Sequence, residues 1–197
     1  GIDISHKEDE AVCFAILLHD VGHGPFSHAL ESSIVKGVHH EDISTLIMKR
    51  LNEEFGGMLD TAIEIFQNKY HKKFLHQLVS SQLDMDRLDY LARDSFYSGV
   101  TEGKVGSNRI IKMLSVVDDR LVIEEKGVYS IEKFIVARRL MYWQVYLHRT
   151  VLSAEHMLML VLKRAKSLND DNLFATPALS AFIHNDFDND SFATDDS

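Results

Sequence analysis

The chain has 197 residues, 45% of them hydrophobic, enough for one sizeable domain with a buried core. Its formal net charge is −9, from 21 Lys and Arg against 30 Asp and Glu. That balance argues against broad binding to nucleic-acid backbones or anionic membranes, both of which need a surplus of cations.

The chain opens without an initiator Met on a polar, acidic stretch, Gly1 to Glu10, which has no signal-peptide character. No run approaches the length of a membrane span. With one cysteine there is no disulfide framework, so a cytoplasmic protein is expected, with Cys13 as a reduced core residue. The acidic end, Asn185 to Ser197, completes the expectation of a piece cut from something longer.

Helix formers dominate, with two prolines and ten glycines in all. Apolar periodicity predicts helices over roughly 8–20, 25–35, 40–55, 59–68, 71–97, 106–116, 130–149 and 150–168. Asp118-Asp119, the β-branched residues after it and Lys126-Gly127 predict a small hairpin near 119–130. The expected fold is mostly α. The domain is expected over 1–168, with 169–197 opening a truncated C-terminal helical region.

Within the first helix, eight apolar residues, Ala11 to Leu18, run into His19-Asp20. A helix with no polar face reads as a core helix that delivers an imidazole and a carboxylate into a protected place. Burying both is costly unless something pairs them, and a divalent metal does so. Next come His23 and His28, with Glu31 three residues beyond His28, and then His39, His40 and Glu41. The spacing lets Glu31 orient His28, and imidazole suits proton transfer near pH 7. His39 reads as exposed. His6, His71, His76, His148, His156 and His184 read as structural or surface residues.

In the segment 82–94, about 100° per residue places Asp86, Tyr90, Arg93, Asp94 and Tyr97 on one helix face. Leu88, Leu91, Ala92 and Ser95 fall opposite. Taken alone, such a face is ordinarily solvated. Beside His19-Asp20 it becomes a candidate wall, with Asp86 as a third metal ligand and Arg87 and Arg93 as phosphate donors. His40-Glu41 is followed by Asp42-Ile43-Ser44, so no zincin helix is present, and one cysteine forbids a Cys-based zinc site. Mixed N/O ligation fits Mg²⁺, Mn²⁺ or Fe better. A P-loop, a G-x-G-x-x-G and a G-x-S-x-G are all absent.

H-D-V-G-H-G-P-F-S-H at 19–28, H-E at 40–41 and D-M-D-R-L-D-Y-L-A-R-D at 84–94 together resemble the HD-domain metal-dependent phosphohydrolases. More narrowly they resemble the deoxynucleoside triphosphate triphosphohydrolases, over about residues 10 to 165. The resemblance implies a helical HD fold, with His19, Asp20 and Asp86 as metal ligands. It implies that His23 contacts the α-phosphate and that His28 protonates the departing 5′ oxygen, supported by Glu31 (where relatives carry Asp) and His40. Arg87 would bind phosphate, where relatives often have Lys. Tyr90 and Asp94 would line the sugar and exclude a 2′-hydroxyl, and Tyr146 would contact sugar or base.

The implied reaction is hydrolysis of a deoxynucleoside triphosphate to nucleoside and inorganic triphosphate, the cation activating water and offsetting phosphate charge. The alternatives are another HD phosphohydrolase (a nucleotide 5′-phosphatase, a phosphodiesterase or an alarmone hydrolase) and a non-catalytic nucleotide-sensing module. Relatives assemble as homo-oligomers, and some need an activating nucleotide at a separate site. The family pattern also includes an Arg-x-x-His upstream of the H-D, which none of the 18 residues before His19 matches. The expectation is a chain cut upstream that holds part of the metal site and is weak or inactive as it stands.

Overall fold

The structure, a computed structural model, describes residues 2–24, 26, 39–168, 175–177 and 180. Of the helix expected over 25–35, all but Phe26, a residue at φ 58°, lies outside these residues. The described fold is mostly α, with one two-stranded antiparallel sheet. Among the described residues no helix is long and apolar enough to cross a membrane. The chain forms two compact units, 1–22 with 41–148, and 23–40 with 149–197.

In the first unit, α1 (His6–Leu18) starts at a capping box. Ser5 Oγ accepts from the Glu8 N–H at 3.3 Å, and the Glu8 carboxylate accepts from the Ser5 N–H at 2.8 Å. Glu8, Ala11 and Ala15 share the inward face, and the two alanines let α1 lie close against α3 (Asp60–Phe66) and α4 (Lys73–Val79). Met48 of α2 (His40–Glu54), Leu59, Ile65, Phe74, Leu75 and Val79 complete this core. The apolar run is therefore only half a core element: Leu17 is 73% exposed. Cys13 is exposed as well, a correction to its expected burial. Both sit on the face away from Ala11 and Ala15, where apolar composition gives no polar residue to mark the outside.

Buried Glu8 has charged and polar partners far along the chain. It accepts from Lys72 Nζ at 2.8 Å and from the Tyr70 hydroxyl at 2.9 Å. The Lys72 ammonium chiefly, and then the Ser5 N–H, hold its carboxyl down to about 2, against burial that pushes it up. Because the folded value lies below the ordinary 4.5, this group stabilises the fold fully above about pH 4.5. That contribution is lost as pH falls from there through about 2. Glu8→Gln is expected to cost roughly 1–3 kcal/mol at pH 7. Urea midpoints measured from pH 7 to pH 3 should converge for the two proteins in acid; a gap independent of pH would contradict the pairing.

The helix expected over 71–97 is two helices. Ser80 is extended and Asp84 caps a new start, so α4 ends at Val79 and α5 runs Met85–Ser98. A polar Ser80-Ser81-Gln82 step inside an otherwise periodic run is the local reason. Beyond α5, a 3₁₀ turn Thr101–Gly103 leads to α6 (Ser107–Lys112). A Cβ on Gly103 would stand 2.6 Å from Met141 Sδ and 2.9 Å from Ser95 Cβ, so only glycine lets α5 and α7 (Val128–Met141) meet there.

The hairpin is β1 (Leu114–Val117) and β2 (Arg120–Ile123), pairing Leu114 with Ile123 and Val117 with Arg120. It begins earlier than the expected 119–130, taking residues assigned by periodicity to the end of a helix over 106–116. Asp118 and Asp119, at φ 50° and 60°, form the two-residue left-handed turn that suits a twisted ribbon. α4 anchors the ribbon: Asp119 accepts from the Lys73 N–H at 2.8 Å, and Gln77 accepts from the Leu121 N–H at 2.7 Å. Leu88, Leu91, Ile110, Phe134 and Met141 make a second core beneath α5, α6 and α7. The helix expected over 130–149 ends at Met141 and gives way to a π turn, Tyr142–Tyr146. In the second unit the described helix is α8 (Arg149–Leu168), with no buried residue.

Candidate metal centre and flanking wall

The C-terminal end of α1 places the first candidate ligands. His19 closes the helix in αR geometry, and its Nδ1 lies 2.6 Å from the Ile16 carbonyl oxygen. A carbonyl can only accept, so Nδ1 carries the proton and Nε2 is the nitrogen turned to the site. The turn after it is held by Ser44 of α2, fully buried, whose hydroxyl donates to the His19 carbonyl at 2.7 Å and accepts from the Gly22 N–H at 2.9 Å. Sequence reasoning missed Ser44; its signal was a small polar residue four before Met48, on the buried face of α2.

Asp86 enters from the first turn of α5. His19 Nε2 lies 3.3 Å from Asp20 Oδ1 and 3.9 Å from Asp86 Oδ1. One nitrogen and two carboxylate oxygens stand within 4.8 Å of one another. Burial above all pushes the Asp86 carboxyl up from the ordinary carboxylate range, and Asp20 and Asp84 add to it against the opposing pull of His19 and Arg87. A divalent cation among these three groups would offset that charge. The imidazole tied through its other nitrogen to a backbone carbonyl is the arrangement a metal ligand needs. The residues present therefore fit a cation with mixed N/O preference.

α5 then builds a wall. Its cap, Asp84, is 1% exposed and accepts from the Ser81 and Arg87 N–H groups at 2.9 and 2.8 Å. It also pairs with the Arg87 guanidinium. Arg87 is thus held by a buried carboxylate that the sequence pattern did not single out. One and two turns on stand Tyr90 and Asp94, and the Tyr146 hydroxyl donates to Asp94 Oδ2 at 2.7 Å. Tyr146 meets Tyr90 edge-on at 6.0 Å and Tyr142 at 5.2 Å. Burial first, and then the Asp94 bond, push the Tyr146 phenol far above its ordinary value, so it stays a donor.

Arg138, also missed, donates to Gln82 Oε1 at 3.0 Å, and its charge bears on Tyr90 together with that of Arg87. Its signal was a cation eight residues before Tyr146 on one helix. Arg93 is exposed and paired with Asp89, and Tyr97 is exposed; neither joins the wall. Of the four residues placed opposite that face, Leu88, Leu91 and Ser95 are buried and Ala92 is exposed. In the second unit the rings of His23 and His40 stack at 3.9 Å with a 16° interplanar angle. His28 and Glu31 lie outside the described residues.

A family model described as HD domain matches residues 2–94, and one described as HD associated region matches residues 105–178. The Bacillus subtilis uncharacterized protein YwfO is 39% identical over 179 residues, covering 87% of this chain and 41% of its own. A Dictyostelium discoideum protein named deoxynucleoside triphosphate triphosphohydrolase SAMHD1 homolog is 30% identical over 174 residues, covering 80% and 34%. The crystal structure of a Bacteroides thetaiotaomicron phosphohydrolase superposes with a TM-score of 0.90 at 64% identity, covering 94% of this chain and 47% of that one. The chain thus spans less than half the length of each of these relatives.

Proposed function

Because the chain belongs to the HD-domain superfamily of phosphohydrolases, we propose that this protein hydrolyses deoxynucleoside triphosphates to deoxynucleoside and inorganic triphosphate. The observation that carries the reading is the order along α5. Asp86 faces His19, and the next turns of the same helix present Tyr90 and Asp94, closed by Tyr146. A phosphate hydrolase of any kind needs the first part. The aromatic and carboxylate wall beside it suits a sugar, whose ring packs on an aromatic face and whose hydroxyl donates to a carboxylate.

His19, Asp20 and Asp86 would hold a divalent cation, which would supply Lewis acidity toward phosphate oxygen and water. Arg87, fixed by Asp84, and Arg138, fixed by Gln82, neutralise the phosphate chain and orient it. Tyr90 packs against the sugar and Asp94 accepts from a sugar hydroxyl. By resemblance His23 takes an α-phosphate contact, and His28, supported by Glu31 and His40, donates a proton to the 5′ oxygen as its bond to the α-phosphorus breaks. Water provides the new oxygen on that phosphorus, so the triphosphate leaves unbroken.

The test is product identity. With Mg²⁺ or Mn²⁺ and a panel of dNTPs and NTPs, anion-exchange analysis of the full-length protein should show intact tripolyphosphate. Orthophosphate or pyrophosphate in its place would move the assignment to another HD phosphohydrolase. Nucleotide binding without turnover under any mixture would favour a sensing module.

A further inference from the structure

A cleft of about 470 Å³ opens in the first unit, on elements that also anchor the metal centre. Its volume is that of a small-molecule site rather than of a single ion. One side is the first turn of α2, with Glu41, Asp42 and Thr45. The other is the end of α3 at Phe66 and, from α4 and its cap, His76 and Ser80. Thr45 follows Ser44, which clamps the His19 turn, and Ser80 precedes Ser81, whose N–H donates to Asp84. An occupant would touch the elements that anchor His19 and Arg87 without entering the metal centre.

The lining points to a cation. Two carboxylates stand on α2, and the C-terminal ends of α3 and α4 carry the negative ends of their dipoles, so phosphate is disfavoured. His76 Nδ1 lies 2.9 Å from the Ile65 carbonyl oxygen, so in the neutral ring Nδ1 carries the proton and Nε2 is an acceptor. Phe66 adds an aromatic ring against which an organic cation can pack. The rim already receives one ammonium: Lys73 Nζ donates to the Asn68 carbonyl at 2.7 Å. Against these acceptors the described lining sets one lysine, Lys69, which is exposed.

A bare metal ion fits this cleft poorly. Glu41 and Asp42 are successive on a helix, so their side chains diverge by about 100°. Among the described residues, no three metal-ligating groups within 4.8 Å of one another include Glu41, Asp42 or His76. The acceptors are spread over the cleft, which suits donors spread along one flexible molecule.

We propose that this cleft binds an extended organic cation of the polyamine class. Its ammonium groups donate to Glu41, Asp42 and His76, and its methylene chain lies along Phe66. Binding there is independent of the reaction proposed above.

Spermidine is the probe. Calorimetric titration of the full-length protein at about 0.15 M salt should show one saturable site, with putrescine weaker because it carries one ammonium fewer. Salt matters because a chain of net charge −9 also gathers cations diffusely. Glu41→Gln with Asp42→Asn is expected to weaken binding about tenfold or more, the size of a lost charge-assisted hydrogen bond. Removing the same charge at the far end of α2, in Glu53→Gln with Glu54→Gln, should leave affinity within about twofold. Ser80→Lys supplies a tethered ammonium and leaves both carboxylates in place, so it should abolish spermidine uptake as well. Melting curves check that each variant folds, and hydrogen exchange in the bound wild type should gain protection over 41–45 and 76–81. Equal weakening by the two double variants would reduce the effect to diffuse attraction and overturn the site. Absence of saturable binding, or undiminished uptake in Ser80→Lys, would overturn it too.

Discussion

Replacing Asp86 with asparagine should abolish hydrolysis while leaving the metal-free fold at least as stable as before. The amide keeps the shape of the side chain and one acceptor oxygen but removes one of the two negative charges facing His19 Nε2. A bound cation contributes several kcal/mol of transition-state stabilisation, so the rate is expected to fall by on the order of 10³-fold. Calorimetric titration with Mn²⁺ should show affinity weakened by about 100-fold or more, beyond what loss of an outer-sphere partner costs. The stability expectation has the opposite sign. Burial pushes the Asp86 carboxyl up, which means that the ionised form destabilises the metal-free fold near neutral pH. A neutral isostere relieves that cost, so the melting temperature without metal should hold or rise. A variant that keeps a tenth of the activity, or that melts well below the wild type in chelator, would remove Asp86 from the metal centre.

Replacing Asp84 with alanine has the largest expected effect on stability. This buried side chain caps α5, accepts two backbone N–H groups and pairs with Arg87. Its loss leaves those donors without their acceptor and a guanidinium without its counter-charge, a cost on the order of 3–5 kcal/mol. Asp84→Asn, which keeps an acceptor oxygen for the cap, should cost clearly less. Adding Arg87→Met to Asp84→Ala should return part of the loss, because the cation left behind is then gone. Urea unfolding of the wild type, Asp84→Ala, Arg87→Met and the double variant measures this coupling; strict additivity would show that the pair is not a unit. In the intact protein, the same anchor gives the Arg87 guanidinium a defined direction.

Much of the local architecture was legible in the residue order. The periodic runs of α2 and α3 and the turn at Asp118-Asp119 are short-range features; the Ser5–Glu8 capping box is equally local but went unread. Periodicity failed where two periods fit one run. Leu114 to Val116 reads as a helix end, and only pairing with Leu121–Ile123 decides for strand. It failed again at Ser80 to Asp84, where a cap rather than a change of polarity ends one helix and starts the next.

The chemistry of the site divides along the same line. By itself the sequence determined which residue types were available and their local spacing: His19 beside Asp20 at a helix end, and Asp86, Tyr90 and Asp94 on one face of α5. It could not determine partners across long separations. The Ser44 clamp on the His19 turn, the Glu8 pairings with Tyr70 and Lys72, and the reach of Tyr146 to Asp94 join residues 22 to 64 positions apart. Such pairings depend on how helices pack, and helix packing is set by side-chain volumes throughout the core rather than by any local pattern. The tertiary structure alone also decided that Cys13 faces outward and that Asp84 rather than solvent holds Arg87.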